Sequence, residues 1–178
     1  KNKVIVVSSA MSGVTNDLIK KSKQISNNFI DSEYDVLVSS GEQVACSLIA
    51  GRLNHKGFKS RSWLGWQIPI FTNGPYTNSR IQQVNKNKLL RFLKEGGIPI
   101  ITGFQGVNMN ERVTTIGRGG SDASAIMIAK SFKAQRCIIY TDVEGVYTTD
   151  PNKLKKAKKI KVISYEEMLE MASLGAKV

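Results

Sequence analysis

Cysteine and histidine are nearly absent from this 178-residue chain, which has two of the first and one of the second. Cys46 and Cys137 are too few for a disulfide framework and lack metal-ligand spacing. His55 stands alone after a helical stretch, as a solvated surface residue does. No uninterrupted apolar run approaches the ~20 residues that span a bilayer, and no signal-peptide pattern opens the chain. The expectation is therefore a cytoplasmic protein with no membrane partner. Internal repeats, long low-complexity linkers, zinc-finger spacing and an RNP-like aromatic motif are all missing as well.

Acidic residues are scarce: 14 Asp and Glu against 26 Lys and Arg leave a formal net charge of +12. Such an excess attracts an anionic partner, whether nucleic acid, membrane or a phosphorylated small molecule. It is equally the mark of a lysine-rich solvated surface. Six lysines fall between Lys153 and Lys161, reading as an exposed basic segment rather than a groove-reading helix. With no nucleic-acid motif beside them, the charge does not make this chain a nucleic-acid binder.

What is present suits a single globular domain, with 41% hydrophobic and 22% charged residues. Val4 to Val7 reads as a strand buried on both faces and ends in a small-residue loop, Ser8 to Gly13. A helix follows, with Val14, Leu18, Ile25 and Phe29 on one face. Val36 to Val38 reads as a second short strand ending in Ser39-Ser40-Gly41. The next helix runs from about Glu42 to Leu53, with Val44, Leu48 and Leu53 facing inward, and Gly57 closes that unit. Trp63, Trp66, Ile68, Ile70 and Phe71 suggest a strand or hairpin, and Asn73-Gly74-Pro75 a turn. Asn87 to Lys94 reads as a short helix stopped by Gly96-Gly97. Ile98 to Ile101 and Cys137 to Tyr140 read as further buried strands, with Pro99 a mark against a central position in a ladder. Ser164-Tyr165-Glu166-Glu167 is a capping-box pattern, and Gly175 a helix terminator.

Strands alternating with helices predict an α/β domain, a three-layer α/β/α sandwich with a mostly parallel central sheet. Ligands in such sheets sit outside the carboxyl ends of the strands. The loops Ser8 to Gly13, Ser39 to Gly41, Gly103 to Gly106 and Thr141 to Gly145 all follow apolar runs and should gather on one edge. The densest signal is Thr114-Thr115-Ile116-Gly117-Arg118-Gly119-Gly120-Ser121-Asp122, a glycine-rich turn running into a helix-like stretch from Asp122 to Phe132. Unpaired N–H groups and the helix dipole favour phosphate or carboxylate at such a junction. The glycines let an anion approach the backbone, and Arg118 adds a planar donor fork. Ser121 or Asp122 is by local physics a good N-cap.

Read together, six stretches resemble the aspartate kinases of the amino acid kinase family. They are Val6 to Leu18, Ser39-Ser40-Gly41-Glu42-Gln43, Gly103-Phe104-Gln105-Gly106, the glycine turn, Tyr140 to Pro151, and Ile163 to Val178. The resemblance implies transfer of the γ-phosphoryl group of ATP, with Mg²⁺, to the β-carboxylate of L-aspartate. The product would be 4-phospho-L-aspartate, the entry to lysine, threonine, methionine and diaminopimelate synthesis. The attacking carboxylate is already ionised at neutral pH, so no general base is required. The difficulty lies in bringing an anion to a polyanion, which calls for Mg²⁺, backbone donors and fixed cations.

The same resemblance assigns roles. Arg118 holds the substrate α-carboxylate, Glu42 pairs with the substrate ammonium and Thr15 touches substrate, with Gly119, Gly120 and Ser121 around it. Asp122 orients the reacting groups. Ser9 lies near the phosphates, and Thr141, Asp142, Tyr147, Thr148, Thr149, Asp150, Pro151, Asn152 and Lys177 form the nucleotide pocket. No protein side chain is assigned as a metal ligand, and a homo-oligomer is implied. Without the resemblance, Glu42 is also a helix-start acid, Thr15 an N-cap-like residue and Lys177 one surface lysine among many.

Three departures from the family pattern accompany the likeness. Lys1 runs straight into what is usually the second family strand, so residues 1–178 are expected to be a catalytic domain lacking the opening Lys-Phe-Gly-Gly-Thr-Ser strand. Val178 precedes the family's His-Pro-Arg continuation, so the C-terminal ACT domains are expected to be missing too. Asn152 stands where arginine commonly follows Asp-Pro, with Lys153 nearby as a point charge. The alternatives are a truncated, non-catalytic remnant that binds nucleotide or aspartate, and another member of the family acting on glutamate, uridylate or carbamate.

Overall fold

The computed structural model of the chain describes residues 2–117, 119–141, 145–148 and 156–173. Its first half runs β1 (Val6–Ser8), α1 (Val14–Ile25), α2 (Asp31–Val38), α3 (Ser40–His55), β2 (Ser60–Trp63) and β3 (Ile70–Asn73). Next come β4 (Arg80–Val84), α4 (Asn87–Lys94), β5 (Ile98–Thr102) and β6 (Gln105–Val107). β7 (Val113–Thr115), α5 (Gly120–Ser131) and α6 (Tyr165–Ser173) complete the described elements. No helix among the described residues is long and apolar enough to cross a membrane.

β1, β5 and β2 form an all-parallel sheet in that order, with Ile100 opposite Val6 and Ile98 opposite Ser60. Successive side chains of a strand point to opposite faces, so the wholly buried Ile100 and Ile101 serve different layers. Ile100 packs against Cys46 and Ala50 of α3. Ile101 joins Leu89 of α4 and Ile128 of α5 on the other side. This is the expected α/β/α arrangement. A second, mixed sheet in the order β4-β3-β6-β7 adds Ile70 and Val84 to the Ile101 side of the core.

Several local expectations are corrected. Val36 to Val38 ends helix α2 rather than forming a strand. An apolar run of three residues carries no period, and here the buried positions, Asp35 and Val38, are one helical turn apart. Ser39 consequently joins two helices, as C-cap of α2 and N-cap of α3. α3 turns its small residues inward, Gly41, Ala45, Cys46 and Ala50, and leaves Val44 and Leu48 48% and 57% exposed. Only small side chains let a helix lie this close to a sheet.

Pro99 sits in the central strand of its sheet. Ile98 N–H donates to Lys59 O and Ile98 O accepts from Ser60 Oγ, both on the β2 side. The missing N–H of Pro99 therefore faces β1, whose ladder begins only one residue later. Cys137 to Tyr140 forms no ladder with the other described residues, and Ile138 and Tyr140 are exposed. The short helix at α4 appears as expected. So does the capping box: Ser164 N–H donates to Glu167 Oε2 (2.8 Å) and Glu167 N–H to Ser164 Oγ (3.2 Å). Gly175 lies outside the described residues.

Candidate functional site

β1 and β5 run parallel and end side by side, with Gly103 N–H donating to Ser8 O at 3.0 Å. Their exit loops therefore start together, Ser9 and Ala10 beside Gly103 and Phe104. The start of α3 presses on the first loop: a Cβ added to Gly41 would lie 2.9 Å from Ala10 Cβ and 3.2 Å from Val14 Cγ1. The start of α5 presses on the second, where a Cβ on Gly103 would lie 2.8 Å from both Cβ and Oγ of Ser121. One on Gly120 would meet Phe104 Cδ2 at 2.8 Å. Glycine is thus required by contact at three points, and the N-termini of α3 and α5 converge at the carboxyl ends of two parallel strands.

The glycine turn owes its shape to Gly117 and Gly119, both at φ +73°. Gly119, not Ser121 or Asp122, is the N-cap of α5, and no side chain caps it. Glycine reaches the left-handed region cheaply, so the helix begins earlier than a side-chain cap would set it. The Ser121 hydroxyl and the Asp122 carboxylate are left uncommitted to capping. Asp122 is partly buried, and burial pushes its carboxyl above the ordinary aspartate range.

Glu42, in the first turn of α3, is 3% exposed. Its Oε1 accepts the Ala10 N–H at 3.0 Å, and its Oε2 is buried with no partner among the described residues. Burial raises the carboxyl above its usual value, with the Ala10 N–H and the residue's own backbone opposing that. A buried carboxylate oxygen with no donor is costly unless a cation or donor completes it. One turn along α3, burial and the Glu42 charge push the Cys46 thiol up to about 12, so that sulfur is inert. Thr15 lies in the first turn of α1, next to Val14 on Gly41; the N-cap of α1 is Gly13 rather than Thr15.

Three supports were not legible in the sequence. Gln105 is buried and its Nε2 donates to Ser39 O at 2.9 Å, tying the β5 exit loop to the start of α3. Phe104 holds a left-handed φ of +64°, a conformation that non-glycine residues seldom adopt. Asp35 is buried and accepts from Thr77 N–H, from Thr115 N–H at 2.8 Å and from Thr115 Oγ1 at 2.7 Å. It thereby fixes β7, the strand that feeds the glycine turn. The only cue was an acid within Tyr34 to Val38.

Of the residues expected at the site, Glu42 reaches the Ser9-Ala10 loop through Ala10 N–H, and Ser121 and Gly120 abut Gly103 and Phe104. Gly119 and Asp122 flank Gly120 and Ser121 in sequence, and Thr15 is next to Val14 on Gly41. The nucleotide residues are less complete. Thr141 is exposed, Tyr147 bridges Lys159, and Thr148 N–H donates to Lys158 O at 3.0 Å while its Oγ1 accepts the Lys158 N–H at 3.1 Å. Neighbouring Val146 packs with Ala123 and Ile126 of α5, so this hairpin sits along α5 rather than at Glu42. Arg118, Asp142, Thr149, Asp150, Pro151, Asn152 and Lys177 lie outside the described residues.

Parallel strands ending at two helix N-termini, a glycine turn and a half-satisfied buried acid form one junction suited to a charged ligand. Residues 1–178 match the amino acid kinase family, and the chain belongs to it. Within that family its similarity is to aspartokinases. It is 50% identical to the aspartokinase of Geobacillus stearothermophilus over 177 residues, which covers 99% of this chain and 44% of that protein. It is 49% identical to that of Rickettsia felis over 180 residues, covering 99% and 45%. The chain thus spans less than half the length of these relatives. Among solved structures, E. coli aspartokinase III in complex with aspartate and ADP superposes with a TM-score of 0.78 at 27% identity, covering 96% of this chain and 49% of that one. The aspartate kinase from Synechocystis gives 0.71 at 39% identity, covering 98% and 29%. The likeness carried by the six sequence stretches is borne out.

Proposed function

We propose that the chain is the catalytic domain of an aspartate kinase, transferring the γ-phosphoryl group of ATP to the β-carboxylate of L-aspartate. The single observation carrying this reading is the unpartnered Oε2 of Glu42, held at the mouth of the β1 and β5 exit loops. An α-ammonium supplies the cation that this oxygen lacks. The relatives and solved structures named above are aspartokinases, and one of those structures holds aspartate and ADP.

In this reading Glu42 and Thr15 bind the amino end of aspartate, and Arg118 holds its α-carboxylate with a bidentate fork. The β-carboxylate is left facing Gly119, Gly120 and Ser121 at the start of α5, where backbone dipoles favour negative charge. Asp122 orients the reacting groups. Ser9 lies towards the phosphates, and Thr141, Asp142, Tyr147 to Asn152 and Lys177 receive the nucleotide. Mg²⁺ bound with ATP would neutralise charge on the transferring group. A cytoplasmic homo-oligomer serving lysine, threonine, methionine and diaminopimelate synthesis completes the proposal.

ADP release measured with aspartate, glutamate, uridylate and carbamate in parallel tests it. Turnover with aspartate alone is expected; turnover with uridylate or glutamate but not aspartate contradicts it.

A further inference from the structure

On the α4 face of the parallel sheet, away from Glu42 and the glycine turn, lies a cavity of about 570 Å³. Its walls come from β2, from the loop after it and from α4. Three cations line it, Arg61, Lys88 and Arg91, against one acid, Glu95. That acid is already taken: Lys59 Nζ lies 2.7 Å from Glu95 Oε2, and Arg91 acts on it only as a weaker, more distant charge. Lys88 Nζ donates to Gln67 O at 2.9 Å. Neither Arg61 nor Arg91 has a carboxylate within ion-pair distance among the described residues.

The floor is aromatic. Trp63 and Phe92 meet edge to face at 5.8 Å between ring centroids, and the Arg61 guanidinium lies 4.2 Å above the Trp63 ring. Trp63 is 5% exposed, and its Nε1–H is a buried donor with no partner among the described residues. Trp66 also lines the cavity and is 51% exposed. A planar fork suits phosphate, an exposed indole suits a flat ring, and the volume falls in the range of small-molecule sites.

We infer that this cavity is a second binding site, for a planar ring carrying a phosphate, with the dimensions of a nucleoside monophosphate. Arg91 and Arg61 take the phosphate and Trp66 stacks on the ring. The inference is independent of the proposed aspartate kinase activity and would stand if that activity failed.

The chain contains two tryptophans, and both line this cavity, so its tryptophan fluorescence reports on this site. AMP, UMP, ribose 5-phosphate and adenosine are titrated into the full chain, with fluorescence and calorimetry read together. AMP or UMP should give a saturable change and bind more tightly than either ribose 5-phosphate or adenosine. Arg91→Ala should weaken that binding by about tenfold or more, as loss of a charged hydrogen bond does, with the melting temperature unchanged. Arg61→Ala, followed by calorimetry, should do the same. No saturable change with either nucleotide overturns the inference. So does binding unaffected by Arg91→Ala, which would put the nucleotide elsewhere, or ribose 5-phosphate matching AMP.

Discussion

A carboxylate that is buried and only half satisfied is a residue held for something other than stability, and Glu42 is such a residue. Its folded carboxyl keeps a proton to higher pH than the unfolded one, because burial penalises the charged form. The folded state therefore binds more protons between the two values. This contribution to stability is complete below the unfolded carboxylate range and is lost as pH rises through the folded value. Melting curves from about pH 4 to 8 should show a steeper decline for the wild type than for Glu42→Gln. Glutamine keeps the acceptor for Ala10 N–H and loses the charge, while the buried Asp35 and partly buried Asp122 still titrate. L-Aspartate should raise the melting temperature of the wild type and not of the variant. Asp35 is the opposite case, a buried acid whose two oxygens are both used. Asp35→Ala strands the Thr77 and Thr115 donors and should cost about 3 kcal/mol or more, at ~1–3 kcal/mol for each buried group left alone. Urea unfolding measures it.

At the level of elements, the close approaches of glycine determine whether the site exists. Gly103→Ala would drive a Cβ to within 2.8 Å of Ser121, forcing the β5 loop and the start of α5 apart. Activity should fall by about tenfold or more, the effect of displacing a positioned group, while the melting temperature changes much less; kinetics beside calorimetry check both. Ser164→Ala removes one arm of the reciprocal cap on α6 and should cost about 1 kcal/mol, read again from urea unfolding. That cap was legible because serine and glutamate at this spacing have a local mechanism. The helical state of Val36 to Val38 was not, since three apolar residues fit either period. Nor was the central place of Pro99, which depends on which neighbouring strand starts first. The inward face of α3 misled for a related reason: the sheet selects small side chains, whereas hydrophobicity alone points to Val44 and Leu48.

For the molecule as a whole, alternating apolar runs were enough to give an α/β/α sandwich with the β1 and β5 exit loops side by side. The loop at Ser39, by contrast, follows a helix, and residues 142–144 lie outside the described residues. The second sheet was only partly visible, as a turn at Asn73-Gly74-Pro75, because its strands are short and its two local pairs are joined only where Phe71 meets Val107, far away in sequence. The site was legible where it is made of backbone and glycine, at Gly41, Gly103 and Gly117 to Gly120. It was illegible where it depends on tertiary partners, as with Gln105 and Asp35. The glycine turn and Glu42 belong to different helices, and the fold joins them through the exits of β1 and β5.

The claim that this junction phosphorylates a carboxylate is tested most directly by trapping the product. With ATP, Mg²⁺, L-aspartate and hydroxylamine present, the chain should form aspartyl hydroxamate, and Glu42→Gln should abolish it. Aspartate and ATP binding in calorimetry with no hydroxamate from the wild type would contradict the account.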